Sequence, residues 1–298
     1  KANDGSKNVI SAVTVENTGN QDTSITVPSD AANYMDLSSL TTFADSLMKT
    51  ADLKQYRITG TINANMSIIG IPINANIPMD FRLKLNADNT VQSAYINLDV
   101  PYFIGVLQQD MTAKVYYEDG VLYFDRNWET STGALWWKEY YDHHEYMKCT
   151  IDEFMANPMK YVYFCTNFTS MVENAINDAI AKSDQKAVRT GNIMFEEALT
   201  GFNYNGSNQW NVNLDAAHLI NNSDFSDQMS ITVGRGSNGI LNSISLSTRV
   251  LDMINLQLNN GQLVNADKSN VDMSVVPTGL SSNPNYVFGE VTVVETKK

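Results

Sequence analysis

The chain has 298 residues, 43% of them hydrophobic, and a formal charge of −13. No apolar run approaches the ~20 residues of a membrane-spanning helix. No basic stripe exists to displace counterions from phosphates, so the composition speaks against nucleic acid and against electrostatic docking on anionic lipid.

Residues 1–30 are rich in Asn, Ser, Thr, Asp and Gly and read as a flexible tether, with a short extended piece at 9–15. The polar start at Lys1 reads as that of a trimmed mature form. Residues 31–298 read as a single domain, because neither of its two blocks of strands has material to cover both sheet faces alone. Its first element is a helix. Leu37, Leu40, Ala44, Leu47, Met48 and Ala51 share one face at 3.6-residue spacing. That face is expected to lie on the apolar side of the hairpin that follows.

The hairpin spans 56–86. Tyr56, Ile58, Ile62, Ala64, Met66 and Ile68 alternate with Arg57, Thr59, Thr61, Asn63, Asn65 and Ser67. Beyond Ile69-Gly70, Ile71, Ile73, Ala75, Ile77, Met79, Phe81, Leu83 and Leu85 hold every odd position. A strand sends successive side chains to opposite faces, so both runs have one apolar and one polar side, and glycine permits the turn between them. Pro72 and Pro78 are six apart, so their missing N–H groups fall on one side, which must be an edge, a bulge or a bend. A strand over 91–100 and a hairpin around Asp119-Gly120 complete a meander of about five strands.

Alternation then stops. A helical insert is expected over about 127–190, carrying Trp128, Trp136, Trp137, Tyr140 and Tyr141 as core aromatics or a carbohydrate-stacking platform. Thr150 and Glu153 form a capping box, and Asn157-Pro158 opens one long helix lined by Val162, Cys165, Phe168, Val172, Ala175, Ile176, Ala179 and Ile180. From about 191 a second meander runs through Ile254, Leu256 and Leu258 to an expected hairpin turn at Asn260-Gly261, and a last strand is expected over 287–294. The two cysteines, Cys149 and Cys165, lie outside any CxxC cluster. They form either one disulfide in an oxidising compartment or two separate buried thiols.

The order of helix, long hairpins, helical excursion and second meander, entered through Asp52-Leu53-Lys54-Gln55-Tyr56-Arg57-Ile58-Thr59-Gly60-Thr61, resembles the lipoprotein-carrier (LolA-like) superfamily and its Gram-positive and mycobacterial lipoprotein relatives. The resemblance covers about 35–270 and rests on pattern. It implies an α+β fold in which a large, strongly curved antiparallel sheet, a half-barrel, has helices over its concave apolar face. It also implies export to the cell envelope, with a lipid-modified cysteine upstream of Lys1 as the only membrane attachment.

Catalytic signatures are weak. His143-His144-Glu145 lacks HExxH spacing, His218 is isolated, and Glu139/Asp142 and Glu196/Glu197 are pairs that an acidic chain produces by chance. No GxSxG or Walker loop occurs, and Gly234-Arg235-Gly236, in a hairpin turn after a strand, lacks the following helix that a phosphate site needs. The expectation is a non-enzyme with no cofactor and no metal. Thirteen methionines, among them Met48, Met66, Met79, Met111, Met155, Met159, Met171 and Met194 on mostly apolar faces, suit a surface that adapts to varied partners. An empty cavity of about 300 Å³ would cost on the order of 7 kcal/mol, so either helices fill the concavity or a ligand does. The expected function is therefore binding or carriage of a lipid, acyl chain or other apolar small molecule by a monomer. Its contact residues would be Ile58, Ile62, Met66, Ile73, Ile77, Met79, Phe81 and Leu83 on the sheet with Leu47 and Met48 on the helix. The alternative is a cell-surface scaffold with a filled core.

Overall fold

Strands β1 (Gln55–Ile68) and β2 (Ile71–Leu85) pair along their whole length, from Gln55 opposite Lys84 to Ile68 opposite Ile71. The alternating pattern dictates this register: a one-residue slip would turn every isoleucine to the polar side. In this computed structural model the described residues are 37–68, 70–101, 110–134, 136–182, 199–215, 225–250, 254–263 and 271–298. They belong to one compact unit, Asp36–Lys298, and the expected tether lies outside them.

The remaining strands extend the hairpin on both sides. They are β3 (Val91–Val100), β4 (Met111–Glu118), β5 (Val121–Thr132), β6 (Glu139–Thr150), β7 (Leu199–Gly206), β8 (Gln209–Leu214), β9 (Phe225–Arg235), β10 (Leu241–Val250), β11 (Ile254–Leu263) and β12 (Thr292–Lys297). All join one twelve-stranded sheet in the order β12-β6-β5-β4-β3-β2-β1-β11-β10-β9-β8-β7. Each named pair of neighbours is antiparallel. The fold is α+β, and the described residues hold the α-helices α1 (Leu37–Ala51), α2 (Ile151–Ala156), α3 (Pro158–Cys165) and α4 (Ser170–Lys182).

One buried cluster shows that the sheet curls. It joins Ala64, Ala75, Ile77, Val100, Ala113, Phe124, Met147 and Cys149, from β1 through β6, to Tyr161, Phe164 and Cys165 of α3. Six flat strands would be roughly 24 Å across, whereas an eight-residue helix is about 12 Å long. A helix that small closes over six strands only if they wrap around it as a half-barrel. Register shifts between β1 and β11, β10 and β11, β9 and β10, β2 and β3, and β7 and β8 supply local bends. At one of them a Cβ on Gly261 would lie 2.2 Å from the Ile244 carbonyl oxygen, so only glycine fits. Pro72 and Pro78 lie in the part of β2 that precedes its pairing with β3, which begins at Met79, so their missing N–H groups leave no ladder bond unmade there.

Three expectations are corrected. Residues 127–150 are not helical: β5 and β6 pair from Val121–Thr150 to Thr132–Glu139, and helix begins at Ile151. Alternation is hidden there because positions facing the helices hold Arg126, Trp128, His143 and Glu145 instead of aliphatic residues. The single long helix from Pro158 is two helices, broken at Thr166, whose backbone is extended. The last strand is Thr292–Lys297, later than 287–294. The Thr150–Glu153 capping box and the Asn157 cap with Pro158 at the helix start are present as expected.

The opposite, convex face is also partly covered. Leu280 and Tyr286 of the C-terminal segment pack on Tyr95, Tyr116 and Tyr123 of β3, β4 and β5. Main-chain bonds from Lys148 N–H to Val287 and from Gly289 N–H to Lys148 then lead this segment towards β12.

Candidate functional site

The apolar face of the β1–β2 hairpin divides into two environments. Near the turn, Met66 and Ile73 are buried under Val172 and Ile176 of α4. Farther along, Ala64, Ala75 and Ile77 are buried in the cluster around α3, with Ile62 packed against it. Beyond these, Ile58, Met79, Phe81 and Leu83 are only half-buried, and none belongs to a buried cluster formed by the described residues. Cross-strand pairing extends this zone into a row. Val115 lies opposite Ile96, Ile96 opposite Phe81, and Phe81 opposite Ile58, all half-buried. Ile62, Leu258 and Leu246 form a parallel row across β1, β11 and β10, again half-buried. The result is an apolar floor in the middle of the sheet.

Leu47 and Met48 do not contribute as expected. They are 50% and 70% exposed. Helix α1 covers the far end of the sheet instead, where Phe43 packs against Trp210, Val233, Leu241 and Phe202. Its buried stripe is Ser39, Ser46 and Thr50 beside Phe43. The hydroxyls of Ser46 and Thr50 donate to the carbonyls of Thr42 and Ser46 at 2.8 and 2.6 Å, which satisfies them locally. Thr50 Oγ1 also accepts from Leu241 N–H at 2.9 Å, and the Trp210 indole donates to the Ser39 carbonyl at 3.2 Å. A small polar stripe therefore docks the helix, and the apolar spacing pointed to the wrong face. Met155 is likewise exposed, at 70%, while Met194 lies outside the described residues.

At the β5–β6 end the inner face turns polar. Arg126 pairs with Glu145 through Nε at 2.7 Å, donates to the Phe164 carbonyl at 2.9 Å, and lies over the Phe164 ring. Trp128 stacks on His143, whose Nε2 meets Thr130 Oγ1 at 2.6 Å and whose Nδ1 lies 3.2 Å from Glu295. His144 is on the other face of β6, stacked on Tyr146, so the two histidines do not converge. Glu139 binds Lys297 and the Tyr141 hydroxyl, and Asp142 binds Lys298. Glu196, Glu197 and His218 lie outside the described residues, among which no three His, Cys, Asp or Glu side chains group as metal ligands.

Cys149 and Cys165 share the α3 cluster but are free thiols, so the disulfide alternative is corrected. Burial pushes the Cys165 thiol up to about 12, against a weaker pull from Arg126, and burial also raises Cys149. Burial disfavours in both the thiolate that nucleophilic attack requires.

Two carboxylates of the convex side, Asp80 and Asp125, are shifted in opposite directions by their surroundings. Burial opposes ionisation of Asp80, but hydrogen bonds from Arg82 and Arg57 outweigh it and hold the carboxyl below its usual range. Arg82 reaches Asp80 at 2.7 Å and the Asp272 carbonyl at 2.6 Å. Asp125 is the opposite case. Burial raises it, only partly countered by Lys114 and His144, and its Oδ1 and His144 Nδ1 lie 4.0 Å apart, both without a hydrogen bond.

Sequence reading missed the true face of α1 and the Arg126–Glu145 pair, and of its two readings of Trp136 and Trp137 the core one is corrected, since they are 87% and 68% exposed. Among the described residues no helix is long and apolar enough to cross a membrane. No family model and no curated protein matches the chain. Among solved structures, the chain is similar to the crystal structure of Mycobacterium tuberculosis lipoprotein LppX, a mycobacterial lipoprotein, at 11% identity and a TM-score of 0.35 over 80% of this chain and 100% of that one.

Proposed function

We propose that the chain is a non-enzymatic binding protein that holds an acyl chain or a similar apolar molecule on the floor of its half-barrel. The observation behind this reading is the row Val115–Ile96–Phe81–Ile58: apolar, continuous across four strands, and half-buried between regions closed by α3, α4 and α1. Large aliphatic and aromatic side chains each gain about 1.5–3 kcal/mol on full burial, so such a floor favours an apolar occupant. Binding by shape and burial also needs no convergent acid, base or metal. From the sequence resemblance we add export to the cell envelope, attachment by an N-terminal lipid and a monomeric state.

The test is direct. The purified protein is denatured and extracted with organic solvent for mass spectrometry, and the native protein is titrated with a fluorescent fatty acid. A recovered lipid, or saturable uptake weakened by substitution of Phe81, supports the reading. A blank extract together with no uptake overturns it and leaves a scaffold with a filled core.

A further inference from the structure

The end of the β5–β6 hairpin carries two indoles in water. Tryptophan is among the most buried residue types on average, yet Trp136 and Trp137 are 87% and 68% exposed, with Tyr140 beside them at 42%. Their display is built in. The two strands below pair over twelve residues each without a register shift. The loop is then fixed by Gly133, with φ +94°, where a Cβ would lie 2.2 Å from the Trp137 carbonyl oxygen. Trp137 N–H closes the turn onto the Ala134 carbonyl at 3.3 Å.

The charge around the tip is matched as well. The chain as a whole carries −13, but here the carboxylates hold lysines: Glu139 with Lys297 at 2.6 Å, Glu129 and Asp142 with Lys298 at 2.5 and 2.8 Å. Lys138 adds a further cation beside the indoles. A phosphate-bearing surface approaching this end therefore meets no uncompensated row of acids.

We propose that this tip is an interfacial anchor that inserts Trp136 and Trp137 into the headgroup region of a zwitterionic lipid bilayer. Indoles prefer that region because the ring is apolar and its N–H remains hydrated. A lipid surface fits better than a protein partner. Two rings ringed by ion pairs offer far less area than the roughly 1,200 Å² of a stable protein interface, but wedge-like insertion needs only the rings. This inference stands apart from the apolar-ligand reading, since the tip lies beyond the floor.

The experiment uses the chain produced without acylation and phosphatidylcholine vesicles. Co-sedimentation, a blue shift of tryptophan emission and quenching by brominated phosphatidylcholine are expected for the wild type. W136A/W137A should bind at least about tenfold more weakly, at unchanged melting temperature and unchanged fatty-acid uptake. The brominated-lipid arm needs no variant. A wild type that stays in the supernatant, or a double variant that sediments equally, overturns the proposal. So does a dimer that W136A/W137A converts to monomer without vesicle binding, or an emission change caused by soluble polysaccharide and not by vesicles.

Discussion

Phe81 stands directly opposite Ile58 on neighbouring strands, on the sheltered side of the sheet, and both remain half-buried. Ile176, by contrast, is wholly buried in α4 against Met66 and Ile73. Stability and binding should therefore separate. Phe81→Ala is expected to cost about 1–2 kcal/mol in urea unfolding and to weaken fatty-acid uptake about tenfold. Ile176→Ala should cost about 2–4 kcal/mol, with uptake retained in the folded fraction. Equal losses of uptake in both variants would mean that the floor is not the binding surface.

Helix α1 allows a sharper contrast, because its apolar stripe and its buried stripe are different residues. Met48→Ala removes a side chain that is 70% exposed and should change stability by less than about 0.5 kcal/mol. Thr50→Val is nearly isosteric but leaves Leu241 N–H without its acceptor, and should cost about 1–3 kcal/mol. The comparison is made by thermal and urea melts of both variants. A larger loss for Met48→Ala would reverse the assignment of the docking face.

That contrast also explains what was legible beforehand. The β1–β2 hairpin was, because Ile58 to Ile77 and their polar alternates keep period two across the paired strands, interrupted only at Gly60 and Pro72. The presence of α1 was legible, but its orientation was not. Ser46 and Thr50 count as polar in any periodicity, yet they satisfy themselves against the preceding turn and can face a sheet. Strands β5 and β6 were hidden for a related reason: Arg126 and Glu145 occupy inward positions as a mutual pair, so polarity no longer marks the outer side. The half-burial of Phe81 could not be read at all. Alternation names the face a side chain takes, whereas cover depends on where distant helices end.

Thiol chemistry gives an independent check on the α3 cluster. Cys149 and Cys165 are both buried and unbonded, and burial pushes Cys165 up to about 12. A thiol reagent at pH 8 should label neither in the native protein and both in denaturant, and reductant should leave the intact mass unchanged. A two-dalton gain on reduction would demonstrate a disulfide and contradict the arrangement.

The two convex-face carboxylates should respond to pH in opposite senses. Asp80 is held below its usual range, so its pairing contributes fully above about pH 4 and is lost as pH falls through its lowered value. Arg82→Ala should therefore cost about 2 kcal/mol at pH 7, a difference that narrows below pH 4. Asp125 is raised by burial, so its contribution is complete below about pH 4 and is lost as pH rises through the folded-state value. Asp125→Asn removes the buried charge whose Oδ1 has no donor, and its amide can donate to His144 Nδ1 4.0 Å away after a small rotation. It should stabilise the protein by about 1 kcal/mol or more at pH 7, and by less at pH 3. Urea melts at the two pH values decide both cases. Destabilisation by Asp125→Asn at pH 7 would show that Lys114 and His144 hold the carboxylate more strongly than burial opposes it.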